Sequence, residues 1–179
     1  MAFLLLLLVS FHTLPSGHAA GSFWESSGVI RPDQIPKPAE LVLVPREFTR
    51  NGFQIALEEQ ALRAFLRMAK AAGRKNIRLT LASGFRSNAA QSRAIEARRK
   101  KGQLDERIFS NLAPVGYSSH LTGRAIDFAP NGPDFSKTEA YLWLSAHAEE
   151  FGFHEALARG AAPGVSWEPW HFKYQGSRR

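Results

Sequence analysis

Apolar and polar positions along the chain fall into stretches of helical period and stretches of period two. Between Ala56 and Ala72 the apolar residues Leu62, Phe65, Met68 and Ala72 recur at helical spacing. Glu58, Glu59, Arg63, Arg67 and Lys70 take the other faces and Gly73 supplies a stop, which predicts a helix packed on a core. Ile77 to Ala82 alternates apolar and polar residues and runs into Ser83-Gly84, the pattern of a strand delivering a turn. Residues 88–101 read as helix again, and 102–119, with Pro114 and Gly116, as irregular chain. Ala125 to Phe128 reads as a short buried strand. A third helix is expected from an N-cap at Ser136 or Thr138 to about Phe151, with Gly152 as terminator. A last strand is expected at His171–Tyr174, where Trp170, Phe172 and Tyr174 share one face and His171 and Lys173 the other. Helices and short strands in this irregular order predict an α+β fold with an antiparallel sheet and no internal repeat.

The ends of the pattern set the domain organisation. Met1 to Ser10 is a compact apolar run, shorter than the roughly 20 residues of a membrane-spanning helix, and reads as the core of a secretory signal over residues 1–20. Gly17, Ala19 and Ala20 supply small residues for cleavage after Ala19 or Ala20. No Lys or Arg precedes the run, so an uncleaved apolar anchor stays the alternative. Pro32, Pro36, Pro38 and Pro45 exclude a long helix from residues 21–50, expected as an extended arm over a single domain at 51–179.

Composition narrows the chemistry. The 179 residues contain no cysteine, which removes disulfides, thiolate metal sites and cysteine nucleophiles, so any metal must be held by His, Asp or Glu. A net charge of +7 falls wholly after residue 20 and favours anionic partners. For an exported, periplasmic or wall-associated protein these are lipid headgroups and cell-wall polymers; nucleic acid is not an expected partner.

Two of the six histidines sit in surroundings with a geometric purpose. In Ser118-Ser-His120-Leu-Thr-Gly123-Arg-Ala-Ile-Asp127, Gly123 allows a sharp turn that brings Asp127 back toward His120. Ala125 shares the face of Asp127 and leaves room, while Ile126 and Phe128 face the core. In Trp167-Glu-Pro-Trp-His171, Pro169 interrupts the strand and lets Glu168 converge with His171. Two imidazoles and a carboxylate make a catalytic-type zinc set, and a non-ligating carboxylate such as Glu168 can take a proton from water. A buried histidine in a salt bridge is the bland alternative. His147 with Glu150, at i and i+3 of one helix, has no third ligand and reads as a surface pair. The basic run Arg98-Arg-Lys-Lys101 reads as a solvated helix end.

Ser83-Gly-Phe-Arg-Ser87 with Gln91, then Ser118-x-His120-x-x-Gly123-x-Ala125-x-Asp127, then Glu168-Pro-Trp-His171, resemble in this order the VanY-type D-alanyl-D-alanine carboxypeptidases, within the D-Ala-D-Ala metallopeptidases. The similarity spans about Ala56 to Gly176. It implies the D-Ala-D-Ala metallopeptidase (hedgehog-like) fold, a small antiparallel sheet flanked by about three helices. It also implies one Zn2+ per chain on His120, Asp127 and His171, with Glu168 as general base and Arg86 stabilising the oxyanion. Gln91, Ser118 and Trp170 are the implied substrate contacts. The sequence departs from the pattern at Phe85, where Tyr is frequent, at Val115-Gly-Tyr117, where a Pro-Gly pair often precedes the serine, and at Ser119, where many members carry Glu.

The resemblance implies hydrolysis of the terminal D-alanine from peptidoglycan stem peptides ending in D-Ala-D-Ala. The protein would act as a monomer with no membrane anchor once the signal is removed. An endopeptidase or D-Ala-D-Ala dipeptidase of the same group keeps the chemistry and moves the bond. A non-catalytic, zinc-stabilised wall-binding module is the alternative of another class, and the presence of both Glu168 and Arg86 counts against it.

Overall fold

Four residues set the centre of the fold. Ile126 and Phe128 turn into the core while Ala125 and Asp127 occupy the opposite face of a strand with every position buried. The computed structural model describes residues 19–157, 160 and 163–176. The proposed signal segment therefore lies outside the described residues except for Ala19 and Ala20.

In chain order the elements are α1 (Ala19–Ser27), β1 (Leu41–Leu43), β2 (Ala56–Glu58), α2 (Glu59–Gly73), β3 (Leu81–Ser83), α3 (Asn88–Lys100), α4 (Asp105–Phe109), β4 (Ala125–Phe128), α5 (Glu139–His147), β5 (Phe153–Glu155) and β6 (His171–Tyr174). β1 and β2 form an antiparallel pair. The other strands form an antiparallel sheet of order β3-β4-β6-β5, giving the α+β architecture. The amphipathic face of α2 (Leu62, Phe65, Met68, Ala72) closes over Phe128, Phe172 and Phe153 of this sheet and forms the main core. Phe65, Phe128, Phe135, Phe153 and Phe172 are the largest fully buried side chains there.

Side-chain caps start two helices, and of the two N-caps expected for the third helix, Ser136 or Thr138, it is Thr138 that serves. The Ser87 hydroxyl accepts from Ala90 N at 3.2 Å to start α3, and Thr138 accepts from Tyr141 N at 3.1 Å to start α5. Gly152, left-handed at φ 80°, ends the 3-10 turn Ala148–Phe151 that continues α5.

Elsewhere the structure differs from expectation, for identifiable reasons. The predicted helix from Ala56 loses its first three residues to β2, because Leu57 pairs with Val42 and the Glu58 carboxylate then caps α2 through Gln60 N and Ala61 N. The strand expected over residues 77–82 shrinks to Leu81–Ser83; Leu79 is buried as extended chain beyond the ladder with β4. The stretch 102–119 contains α4, and the expected extended arm begins with α1 and includes β1. Five helices thus stand among the described residues where about three were expected.

Two glycines bring β2 against the loops that carry the site. A Cβ on Gly84 would lie 2.6 Å from Ile55 Cγ2 and 2.7 Å from the Ala56 carbonyl oxygen, so only glycine lets the turn after β3 pack on β2. Gly123, left-handed at φ 67°, places its own carbonyl 2.9 Å from Glu58 N.

Candidate metal centre

Register in the sheet builds the site. Asp127 of β4 pairs directly with His171 of β6, so the two side chains stand side by side on one face. His120 sits on the 3-10 turn Ser119–Thr122, and Gly123 reverses the chain into β4, which brings the imidazole over Asp127. Asp127 Oδ1 lies 2.8 Å from His171 Nδ1 and Oδ2 lies 3.2 Å from His120 Nε2. The ring centroids of the two histidines are 4.9 Å apart. All three residues are buried, at 3%, 8% and 7% exposure for His120, Asp127 and His171. One donor atom from each lies within 4.8 Å of the others, the single such grouping among the described residues that could hold a metal ion.

Each imidazole is oriented from behind. His120 Nδ1 is paired with the Gly84 carbonyl at 2.7 Å, which leaves Nε2 toward the centre. His171 Nε2 meets the Ser119 hydroxyl at 3.0 Å, which leaves Nδ1 toward it. Partners of this kind fix ring orientation and tautomer in metal sites. In the sequence Ser119 stands out only as a departure from the family pattern. Its role at His171 depends on a contact across 52 residues that no local pattern encodes. Ser119→Ala is expected to weaken metal affinity by about 10–100-fold with the fold intact, measured by competition with a chromogenic chelator.

Glu168 enters from a turn. The strand begins only at His171, and residues 168–171 close a turn through His171 N to Glu168 O at 2.9 Å, with Pro169 buried. The convergence of Glu168 and His171 expected from a kinked strand is thus achieved by a turn before the strand. The segment is pinned on both sides: Trp167 Nε1 donates to Glu155 Oε1 at 2.5 Å, and Ser166 N to Ser110 O at 2.7 Å. Arg86 is placed by its backbone, whose N–H donates to His120 O at 3.1 Å.

The electrostatics separate the carboxylates. Burial opposes ionisation of Asp127, but the two imidazoles outweigh it and hold the carboxyl well below its usual range. Burial pushes Glu168 up to about 7, with Asp127 adding to the rise and His171 and Arg86 opposing it. His120 is pushed down by burial; burial opposes the charged form of His171 too, but there the hydrogen bond to Asp127 and the negative charges of Asp127 and Glu168 together outweigh it and raise the imidazole. Burial also lowers Arg86, against the attraction of Asp127 and Glu168. A guanidinium nonetheless stays charged at neutral pH.

One cleft of about 630 Å3 joins these groups. Arg86, Ser118, His120, Asp127, Glu168, Trp170 and His171 all line it. Gln91 is not brought to its wall: the side chain is 1% exposed and donates through Nε2 to the Ala113 carbonyl, supporting the loop whose Ala113 does line the cleft. Among the described residues, two buried side-chain polar atoms have no hydrogen-bond partner, Arg86 Nε and Gln91 Oε1. His147, the last residue of α5, pairs with Glu150 of the following 3-10 turn at 2.7 Å on the surface, and no third ligand joins them among the described residues.

The profile of the VanY family, D-alanyl-D-alanine carboxypeptidase, matches residues 54–177. The chain belongs to this family. All of the site residues named above fall within the match. A D-alanyl-D-alanine carboxypeptidase of Enterococcus faecalis (strain ATCC 700802 / V583) is 28% identical to this VanY-family chain over 176 residues; the alignment covers 92% of the chain and 64% of that relative's length. Among solved structures, a zinc complex of a mutant of the vancomycin-resistance D,D-pentapeptidase VanY, from a VanB-type cassette, matches with TM-score 0.59 and 26% identity. It covers 86% of this chain and 89% of that one. The LD-carboxypeptidase LdcB shares the fold with TM-score 0.68 at 24% identity, over 81% of this chain and 72% of that one. An L,D-carboxypeptidase, DacB, of Streptococcus pneumoniae matches with TM-score 0.54 and 27% identity, over 67% of each chain.

Proposed function

We propose that the protein is a zinc-dependent D-alanyl-D-alanine carboxypeptidase that releases the terminal D-alanine of peptidoglycan stem peptides. The observation that carries this reading is the meeting, in one cleft, of a His-Asp-His set with a carboxyl held at about 7 and a partly buried guanidinium. Tetrahedral zinc with bonds near 2.0–2.1 Å would separate its ligands by roughly 3.3 Å, and the 2.8 and 3.2 Å contacts from Asp127 to the two histidines fall just short of that spacing, so a small outward shift of the ligands would admit the ion. His120 Nε2, Asp127 and His171 Nδ1 would hold the ion. When bound, zinc supplies Lewis acidity toward a carbonyl and brings the ionisation of water near neutral pH.

The chain's own residues supply the remainder. Glu168, titrating close to neutrality, takes the proton of the attacking water and returns it to the leaving amine. Arg86, its Nε without a protein partner, donates to the carbonyl oxygen as that atom gains negative charge. Trp170 and Ser118, both on the cleft wall with the ligand set, would contact the substrate, with Gln91 acting through the Ala113 loop. The basic charge of the chain suits an anionic polymer outside the cell, in keeping with export through the residue 1–20 signal.

Purified protein incubated with a pentapeptide ending in D-Ala-D-Ala is expected to yield free D-alanine, to stop with chelator and to recover with added zinc. A tetrapeptide arm is included because the neighbours LdcB and DacB are L,D-carboxypeptidases. Release of the dipeptide D-Ala-D-Ala, or internal cleavage of muropeptides without free D-alanine, would replace this reading by the dipeptidase or the endopeptidase.

A further inference from the structure

The run Arg98-Arg-Lys-Lys101 closes α3, and the structure separates its members. Arg99 turns to α4, where Asp105 holds it bidentately at 2.8 and 2.9 Å, with Glu96 at 2.9 Å. Lys100 does not line the cleft. Arg98 in the last turn of α3 and Lys101, the residue just past its end, do line it, and Arg107 of α4 joins them. None of these three cations forms an ion pair with an acidic residue among the described residues. Among the described residues, the carboxylates of the cleft lining are Asp127 and Glu168, both at the metal centre. The limb of the cleft running away from that centre is therefore cationic with no acid to balance it.

This wall is held in place. Ile95 of α3 packs with Ile108, Phe109 and Leu112 in a second buried cluster, against which Trp24 of α1 lies. The Trp24 indole donates to Phe109 O at 2.9 Å, and the Arg99–Asp105 clamp ties the end of α3 to the start of α4. Phe23, Trp24 and Ser27 of α1 form part of the limb's lining, and they precede the segment matched by the family profile. Arg98 is partly buried and its charge is felt at both Glu168 and Arg86, so it stands at the inner end of the limb. Lys101 and Arg107 are exposed.

A partly buried guanidinium with no acidic partner, flanked by two further cations, matches a planar carboxylate, which it can bind through two parallel hydrogen bonds. We propose that this cationic limb is a recognition site for a carboxylate of the substrate peptide, with Arg98 making the direct ion pair and Lys101 and Arg107 supplying the attracting field. The inference rests on the peptidase reading above. A peptide offers such a group either at its own C-terminus or on a residue upstream of the scissile bond, and the two sources can be told apart by amidation.

The test is steady-state kinetics of the zinc-loaded chain on four matched D-Ala-D-Ala peptides: all carboxylates free, the C-terminus amidated, the upstream carboxylates amidated, and both. Loss of the recognised carboxylate is expected to lower kcat/KM by about tenfold or more, mainly through KM, and less so at high salt. Arg98→Gln should bring the ratio between free and amidated peptides close to one, Arg98→Lys should restore part of it, and Lys100→Gln should leave the wild-type ratio. The amide that erases the preference identifies the source. Equal KM for all four peptides, or an equal loss of kcat/KM on free and amidated peptides in Arg98→Gln, overturns the proposal. If no peptide is cleaved, the peptidase reading fails separately. Calorimetric binding of the same peptides then decides: preference for the free acid that disappears in Arg98→Gln supports the limb, and equal affinities overturn it.

Discussion

Asp127→Ala is expected to strip zinc from the protein and abolish D-alanine release. Asp127 is the hinge of the site, with one oxygen 2.8 Å from His171 Nδ1 and the other 3.2 Å from His120 Nε2. Its carboxyl, held well below the usual range by the two imidazoles, is fully ionised wherever the enzyme would work, so no proton competes with the metal there. Zinc sites bind with about 10–16 kcal/mol over four ligands, so one lost ligand is worth on the order of 3 kcal/mol, roughly a hundredfold or more in affinity. Alanine also leaves two buried imidazoles without their shared acceptor. Asp127→Asn keeps the volume but not the charge, and should lie between wild type and alanine in affinity. Zinc stoichiometry by atomic emission, read beside D-alanine release, checks the point. An Asp127→Ala protein that kept one zinc per chain and its activity would place the metal elsewhere.

How far the site was legible follows from the range of the contacts that make it. His120, Asp127, His171 and Glu168 could be singled out because each lies in a short segment whose Gly123 or Pro169 marks a special turn. The pairing of Asp127 with His171 is a register between strands 44 residues apart, and a slip of one residue would have turned His171 to the opposite face. Order along the chain does not carry that information. The orienting partners Gly84 and Ser119 are set by tertiary contact alone.

The same division holds for the fold. β4 and β6 show their period because both faces are buried against different neighbours. Residues 77–80 show it too without being a strand, since Leu79 buries while the ladder partner, β4, is only four residues long. Ala56 and Leu57 fit either period, and only β1, about fifteen residues upstream, decides for strand. α4 is five residues long, too short to display a helical repeat. The basic run at the end of α3 reads as one solvated stretch until Asp105 turns Arg99 aside and leaves Arg98 on the cleft.

Glu168→Gln is expected to lower kcat for D-alanine release by about 10²–10⁴, the usual contribution of a positioned general base, while zinc content and fold are kept. The amide retains the shape of the side chain but cannot take a proton from water. Glu168 also leaves a signature in the metal-free protein. Its carboxyl sits at about 7 in the fold against an ordinary value of 4.5, because burial penalises the charged form. A folded pKa above the unfolded one means that the native state binds the proton more tightly. The stabilisation from this group is full below about pH 4.5 and is lost as pH rises through 7. Asp127, His120 and His171 titrate in both proteins, so the difference between wild type and Glu168→Gln isolates the glutamate. Without metal the variant should gain stability over wild type as pH rises from 4.5 to 8, by up to roughly 3 kcal/mol. Urea unfolding at several pH values in the presence of chelator measures that difference. With zinc bound the advantage should shrink, because the cation favours the ionised carboxylate. A pH-independent difference, together with unchanged kcat, would show that Glu168 is neither buried as charge nor used as base.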